Sequence, residues 1–182
     1  MNRMADAVEV GKVRAVGVSN YSAGQMREAH AALAERGIPL ASNQVEYSLL
    51  HRQPETDGVL DACQELGVTL IAYTPLAGGL LTGKYSTENR PHGFFRRVLP
   101  RYRVKALEAL QPVVQLLTEI GDRHSKAPSQ VALRWLIENA SVLPIPGAKN
   151  GRQAATNAGA LTLPLTAEEL DALNDATVAW KS

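Results

Sequence analysis

Aromatic side chains make up only 5% of the 182 residues, and cysteine occurs once. One cysteine, Cys63, excludes an internal disulfide and points to a reducing compartment. It falls in VLDACQELGV, a helical pattern, which predicts a small buried thiol. An excess of one charge sign is also lacking. The formal net charge is +1, so nothing points to nucleic acid or to an acidic membrane surface. The densest basic stretch runs through Arg90, Arg96, Arg97, Arg101, Arg103 and Lys105. It lacks the aromatic platforms of a single-strand binder and reads as mainly a solvated loop. No apolar run is long enough to span a bilayer, so no membrane partner is expected. The first residues, MNRMADAVEVGK, have no apolar leader core and read as the tail of a helix. The expected location is cytoplasmic, or the plastid stroma if the source is a plant. What is present, 45% hydrophobic and 20% charged residues, is ordinary globular composition and fits one domain over 1–182.

Strand-like runs recur at nearly equal spacing. VRAVGVS starts at Val13, LASNQVEY at Leu40 and VTLIAYT at Val68, an interval of about 28 residues, which suits one strand-plus-helix unit. A helix fits each gap. The first begins at Ser22, with Gln25 three residues on as a capping box, and stops near Gly37. The second follows Pro54 and stops at Gly67, with Val59, Leu60, Cys63 and Leu66 at helical spacing. A Gly-rich loop is expected from Pro75 to Pro100, then helices over 101–124 and 128–139. SVLPIPG, 141–147, reads as a fourth strand, followed by a short helix over 151–158. The last helix starts at Thr166, boxed by Glu169.

Alternating strands and helices imply an α/β fold with a parallel sheet and outer helices. An open doubly wound sheet and a (β/α)₈ barrel both fit that pattern. No G-x-G-x-x-G follows a strand, which counts against a dinucleotide-binding open sheet. A barrel needs eight strands and four are legible, so a barrel reading makes this half of one. Four strands also leave two unpaired edges, which predicts self-association or pairing with a separate N-terminal half.

Each strand ends in groups able to bind something. RAVGVSNY stops on Ser19 and Asn20; the second strand carries Asn43 and Gln44, then Glu46 and Tyr47. The third runs into Tyr73, Thr74, glycines 78, 79 and 83, and Lys84; the fourth into Gly147 and Lys149 at a helix start. Each has a plain reading as a cap, turn, core or solvated residue. Together on one rim they suit a dinucleotide. Ser19, Asn20 and Gln44 offer donors and acceptors to a carboxamide, and Tyr73 offers a face to a nicotinamide ring. The glycines admit a pyrophosphate beside Lys84, and the helix start at Gly147 suits a phosphate.

The segments GKVRAVGVSNY, NQVEYSLL, GVTLIAYTPLAGGLLTGKY, PSQVALRWLI and PIPGAKNGRQAATNAGAL together resemble the aldo-keto reductase family, in family order over nearly the whole chain. The GGLLTGKY form is similar to the branch holding potassium-channel β subunits and plastid or bacterial oxidoreductases. The resemblance implies a (β/α)₈ barrel that binds NADP(H) and reduces small aldehydes and ketones. It assigns the carboxamide to Ser19, Asn20 and Gln44, the ring stack to Tyr73, and the pyrophosphate groove to Thr74, Leu76, Gly78 and Lys84. Gly147, Lys149, Gln153 and Asn157 are assigned the adenosine and its 2′-phosphate. Thr156 stands where the family usually has Glu. The basic residues Arg90 and Arg96 are candidates for a further phosphate contact. The family's catalytic Asp, Tyr, Lys and His belong to its first four strands, which match nothing here. No catalytic residue and no metal ligand is therefore assigned, and His30, His51, His92 and His124 read as surface residues. A shortened enzyme, one half of a split enzyme, and a non-catalytic nucleotide-sensing subunit all remain open readings.

Overall fold

The computed structural model describes residues 1–91 and 99–181. Four strands, β1 (Val16–Ser19), β2 (Leu40–Glu46), β3 (Thr69–Tyr73) and β4 (Val142–Pro144), form one sheet in the order β1-β2-β3-β4. Every neighbouring pair is parallel. The helices are α1 (Asn2–Glu9), α2 (Ala23–Ala34), α3 (Val59–Leu66), α4 (Val104–Arg123), α5 (Pro128–Ile137), α6 (Gly151–Ala158) and α7 (Ala167–Ala176). Because β1 and β4 do not meet, the sheet is a partial barrel.

Alternation along each strand sorts the two faces. Val18, Asn43, Leu70 and Val142 sit in one cross-strand row. Asn43, Leu70 and Val142 of that row are buried on the helix-covered side, with Val45 and Ala72 beside them. The next row, Ser19, Gln44, Ile71 and Leu143, lies on the inner side and stays half-exposed or exposed. The sheet is therefore apolar outside and mixed inside. Cys63 is fully buried in α3, where burial pushes its thiol up to about 11.

Local signals set the helix ends. Ser22 accepts from Gln25 N–H while the Gln25 side chain accepts from Ser22 N–H. Thr166 and Glu169 repeat the box at α7. Gly67, at φ 64°, closes α3 in a left-handed conformation that only glycine adopts without cost.

Some boundaries differ from the sequence reading. β1 starts at Val16 rather than Val13, because the chain from Gly11, at φ 72°, to residue 15 runs through turns and bends. The stretch from Pro75 holds a helical turn, Ala77–Thr82, and α4 is preceded by a separate turn, Pro100–Tyr102. The described part of the basic stretch is mainly exposed, at Arg101, Arg103 and Lys105, with Arg90 half-buried. Arg90 Nε donates to Tyr102 O at 3.2 Å. Arg96, Arg97 and His92 lie outside the described residues. The other histidines are half-buried rather than on the surface. His124 Nε2 sits 2.9 Å from Glu169 Oε2, with Arg123 on the same carboxylate.

The C-terminal segment is fastened by a buried ionic cluster. Arg52, 2% exposed, donates to both Glu55 carboxylate oxygens, at 2.7 and 2.8 Å. Its other donors reach Asn174 O, Asn174 Oδ1 and Thr177 Oγ1. The guanidinium stacks 5.0 Å from the Trp135 ring centroid, and Trp135 Nε1 donates to Asn174 Oδ1. Tyr47 OH donates to Glu55, and Lys181 pairs with it at 3.2 Å. The cluster joins the loop after β2 to the end of the chain.

Candidate cofactor site

Parallel strands bring all four C-terminal ends to one rim, and the candidate residues gather there in two groups. The larger group lines a cavity of about 970 Å³ between the turn after β3 and the start of α6. Thr74, Leu76, Gly78 and Lys84 form one wall; Gly147, Lys149, Gln153 and Asn157 form the other.

The first wall is a chain of left-handed turns. Thr74, Ala77, Gly78, Gly79 and Gly83 all have positive φ. At Gly78 a Cβ would lie 2.6 Å from Tyr102 Oη, so the position admits only glycine without movement. Tyr102, 3% exposed, donates its hydroxyl to Gly78 O at 2.9 Å and packs edge-on to Tyr85. Thr82 Oγ1 donates to Gly79 O at 2.7 Å, and Asn89 Nδ2 donates to Lys84 O. The Lys84 ammonium lies 5.4 Å from the Tyr85 ring centroid.

The second wall is a helix start. Asn150 Oδ1 accepts from Gln153 N–H, and Gln153 Oε1 accepts from Lys149 N–H at 2.8 Å. Asn157 Nδ2 reaches back to Gly147 O at 3.4 Å. Gln153 and Asn157 thus shape the loop with part of their hydrogen-bonding capacity. Thr156 Oγ1 bonds within its own helix, to Arg152 O.

Electrostatically this groove is one-sided. Lys84, Lys149 and Arg152 line it, and among the described residues no Asp or Glu does. Among the described residues no carboxylate pairs with any of the three. Such a field attracts negative charge.

The smaller group lies on the sheet. Ser19 and Gln44 are cross-strand partners, as are Glu46 and Tyr73. Ser19 Oγ and Asn20 N–H both donate to Gln44 O, at 3.0 and 2.9 Å. Asn20 takes φ 57°, which turns the chain off the strand. Asn43, fully buried, fixes that turn by bonding Tyr21 N–H and Tyr21 O. Ser19 and Asn20 therefore do serve the strand end. The amide side chains of Asn20 and Gln44 have no partner among the described residues and remain available. Asn20 and half-buried Tyr73 line a second cavity of about 340 Å³ with Glu46 and His51.

Arg152 is legible in the sequence beside Lys149, in the basic loop 147–153 that leads into a helix start. Tyr102, whose contact with Gly78 spans 24 residues, left no local signal. Among the described residues no cluster of His, Cys, Asp and Glu could hold a metal ion. No described helix is long and apolar enough to cross a membrane.

Comparison with known proteins adds a family. The Aldo/keto reductase family pattern matches residues 1–177. The chain is 44% identical over 165 residues, 88% of its length, to pyridoxal reductase, chloroplastic, of Arabidopsis thaliana, of which the match covers 43%. It is 42% identical over 181 residues to an uncharacterized oxidoreductase of Mycobacterium tuberculosis, covering 54% of that protein. It is 37% identical over 171 residues to aldo-keto reductase yakc of Schizosaccharomyces pombe, named for NADP(+), covering 48% of it. The crystal structure of the thermostable aldo-keto reductase Tm1743 with the inhibitor epalrestat superposes with a TM-score of 0.74 at 29% identity. That match takes in 96% of this chain and 53% of that one. The chain spans about half the length of the curated relatives it matches.

Proposed function

The chain belongs to the aldo/keto reductase family, and from that premise we propose that it holds NADP(H), in preference to NAD(H), for the reduction of a small aldehyde or ketone. The observation that carries the reading is the groove of Lys84, Lys149 and Arg152 without a single acidic lining residue. When bound, the cofactor supplies or accepts a hydride. This chain's residues bind and orient it. The glycine turn lets backbone approach the pyrophosphate. Lys149 and Arg152 at the start of α6 offer charge-assisted hydrogen bonds to a 2′-phosphate. The free amides of Asn20 and Gln44 can pair with a carboxamide in both directions, and Tyr73 gives the ring a face.

No side chain here is assigned as the proton donor to the carbonyl. The Arabidopsis relative's name makes an aromatic aldehyde of the pyridoxal kind a first substrate to assay. The yeast relative's name favours NADP(+) over NAD(+). The cytoplasm, or the plastid stroma in a plant, remains the location this reading favours.

The test is titration of the chain with NADPH and NADH, followed by calorimetry or fluorescence. Tighter binding of NADPH, with the difference abolished by Lys149→Ala, supports the proposal. Equal affinity for the two cofactors, or none for either, overturns it.

A further inference from the structure

One carboxylate at the rim is used neither by the fold nor by the cationic groove. Glu46, the last residue of β2, is half-buried. Strand alternation puts it on the inner face, two residues along from Gln44, and its cross-strand partner is Tyr73. It lines two cavities at once. One, of about 340 Å³, also holds Asn20, His51, Asp57 and Tyr73. The other, of about 210 Å³, holds Ser48, Leu50, Leu80, Arg101 and Trp180. Among the described residues the Glu46 side chain has no ion pair and no hydrogen bond. No described side-chain oxygen is sealed from solvent without a partner, so this carboxylate opens into the cavities. The other charged groups there do not neutralise it. Asp57 is exposed and accepts from Val59 N–H. Arg101 is exposed too, with Nη1 beside Gly78, 3.9 Å from where a Cβ would stand. Among the described residues no Lys or Arg lines the cavity that Glu46 shares with Tyr73. Carboxylates that serve this fold are paired, as Glu55 and Glu169 are. Glu46 carries part of the cost of burial without that return, and its field falls on whatever lies against Tyr73.

We infer, on the cofactor reading proposed above, that Glu46 discriminates between the two redox states of the nicotinamide ring and favours the oxidised, positively charged one. Neighbouring strands lie ~4.8 Å apart, so a ring held against Tyr73 has Glu46 for its nearest charged neighbour on β2. The reduced ring is neutral. When its C4–H bond breaks and the hydride leaves with the electron pair for the carbonyl carbon, the ring is left with one positive charge. A fixed carboxylate lowers the energy of that charged state and leaves the neutral one nearly unaffected. Glu46 thereby draws the bound cofactor toward hydride donation. The site then divides its work by charge. Lys84, Lys149 and Arg152 face the phosphates, and Glu46 faces the ring. A hydrogen bond from Glu46 to the carboxamide or to a ribose hydroxyl would serve both redox states alike, so comparing the two states separates the roles.

Calorimetric titration of the wild-type protein, Glu46→Gln and Glu46→Asp reads this directly. The probes are NADP(+), NADPH and adenosine 2′,5′-bisphosphate, which lacks the ring. Glu46→Gln keeps the shape and removes the charge. It should weaken NADP(+) relative to NADPH by about three- to ten-fold, the size of a unit-charge attraction across partly solvated space. Glu46→Asp keeps the charge and should keep most of the wild-type ratio. Affinity for the bisphosphate should be the same in all three proteins. An unchanged NADP(+)/NADPH ratio in Glu46→Gln overturns the inference and leaves the cofactor reading standing. Equal weakening of both redox states overturns it too, in favour of a hydrogen bond. So does a loss of bisphosphate affinity, which would give Glu46 a part in shaping the site, or a Glu46→Asp ratio equal to that of Glu46→Gln. Absence of NADP(H) binding by the wild-type protein overturns the cofactor reading, and this inference with it.

Discussion

Arg52 and Lys149 each follow a strand at the same end of the sheet, yet one side chain is saturated with partners and the other has none among the described residues. Arg52 is buried, with every side-chain nitrogen hydrogen-bonded and an aromatic face against it. Lys149 is exposed on a groove that no Asp or Glu lines among the described residues. Residue type does not separate a structural cation from a ligand-binding one. Satisfaction by the chain itself does. A saturated cation contributes to the fold, and an unsatisfied one in a concave, one-sided field carries charge that the fold does not use.

The largest effect expected from breaking this comparison is on the saturated side. Arg52→Ala leaves half-buried Glu55 beside Tyr47 with only Lys181 to balance it. Breaking a buried pair from one side costs about 3–5 kcal/mol, to be read from urea denaturation. Arg52→Lys should recover only part, because an ammonium cannot reproduce the forked geometry. A loss under about 1 kcal/mol would mean the cluster behaves as a surface pair.

Acid should undo the same cluster more gently. Burial pushes the Glu55 carboxyl up, but the hydrogen bonds and charge of Arg52, with Lys181 and Tyr47, outweigh it and hold it below its ordinary value. Glu169 is likewise held low by Thr166 N–H, His124 and Arg123 against the effect of burial. A carboxyl depressed in the folded state contributes fully above its unfolded value near ~4.3 and loses that contribution as pH falls through its folded value. Thermal stability should therefore hold from neutral pH to about 5 and fall below it. Glu55→Gln, though less stable at neutral pH, should show a shallower acid limb. An equal acid limb in both proteins would place the titrating group elsewhere.

On the unsatisfied side the effect belongs to the ligand. Lys149→Ala should weaken NADPH binding by about 1–3 kcal/mol, the scale of a hydrogen bond to a charged group, and leave NADH nearly unchanged. Equal losses for both cofactors would assign Lys149 to the shape of the loop rather than to a phosphate. Tyr102→Phe comes next in size. It removes one hydrogen bond to Gly78 O, worth about 0.5–1.5 kcal/mol of stability, and should loosen the turn proposed to admit the pyrophosphate. Unchanged NADPH affinity in a destabilised variant would show that the turn holds its shape without the hydroxyl.

The two sides were unequally legible in the sequence, for a physical reason. Strand order, parallel direction and most helix ends follow from apolar spacing and from caps such as Ser22 with Gln25, all local signals. That the candidates share one rim followed from the same repeat, since parallel strands must end together, whereas their division between the groove and the sheet did not. The cluster around Arg52 joins residues 122 and 125 positions apart, Asn174 and Thr177, and no local pattern marks such a pairing. Gln153 and Asn157 show the converse. Their resemblance to a ligand-binding motif was visible, while their bonds to Lys149 N–H and Gly147 O required the folded loop.

The smallest expected effect is the stability change on removing the groove's own charges, and its sign is informative. Arg152 lies in the first turn of α6, which contains no acidic residue, and Asn150 already supplies the cap. The positive end of the helix dipole opposes a cation there by about 0.3–1 kcal/mol at low salt. Arg152 also has no carboxylate partner among the described residues to offset that opposition. Arg152→Ala should therefore leave the free protein as stable as before, or more stable by less than about 1 kcal/mol, with the gain shrinking as salt is added. Its affinity for NADPH should fall in the same preparation. Opposite movement of stability and affinity is what a charge placed for a ligand at some cost to the fold produces. A stability loss above about 1 kcal/mol, outside the range of an unpaired surface charge, would give Arg152 a structural partner and remove its distinction from Arg52.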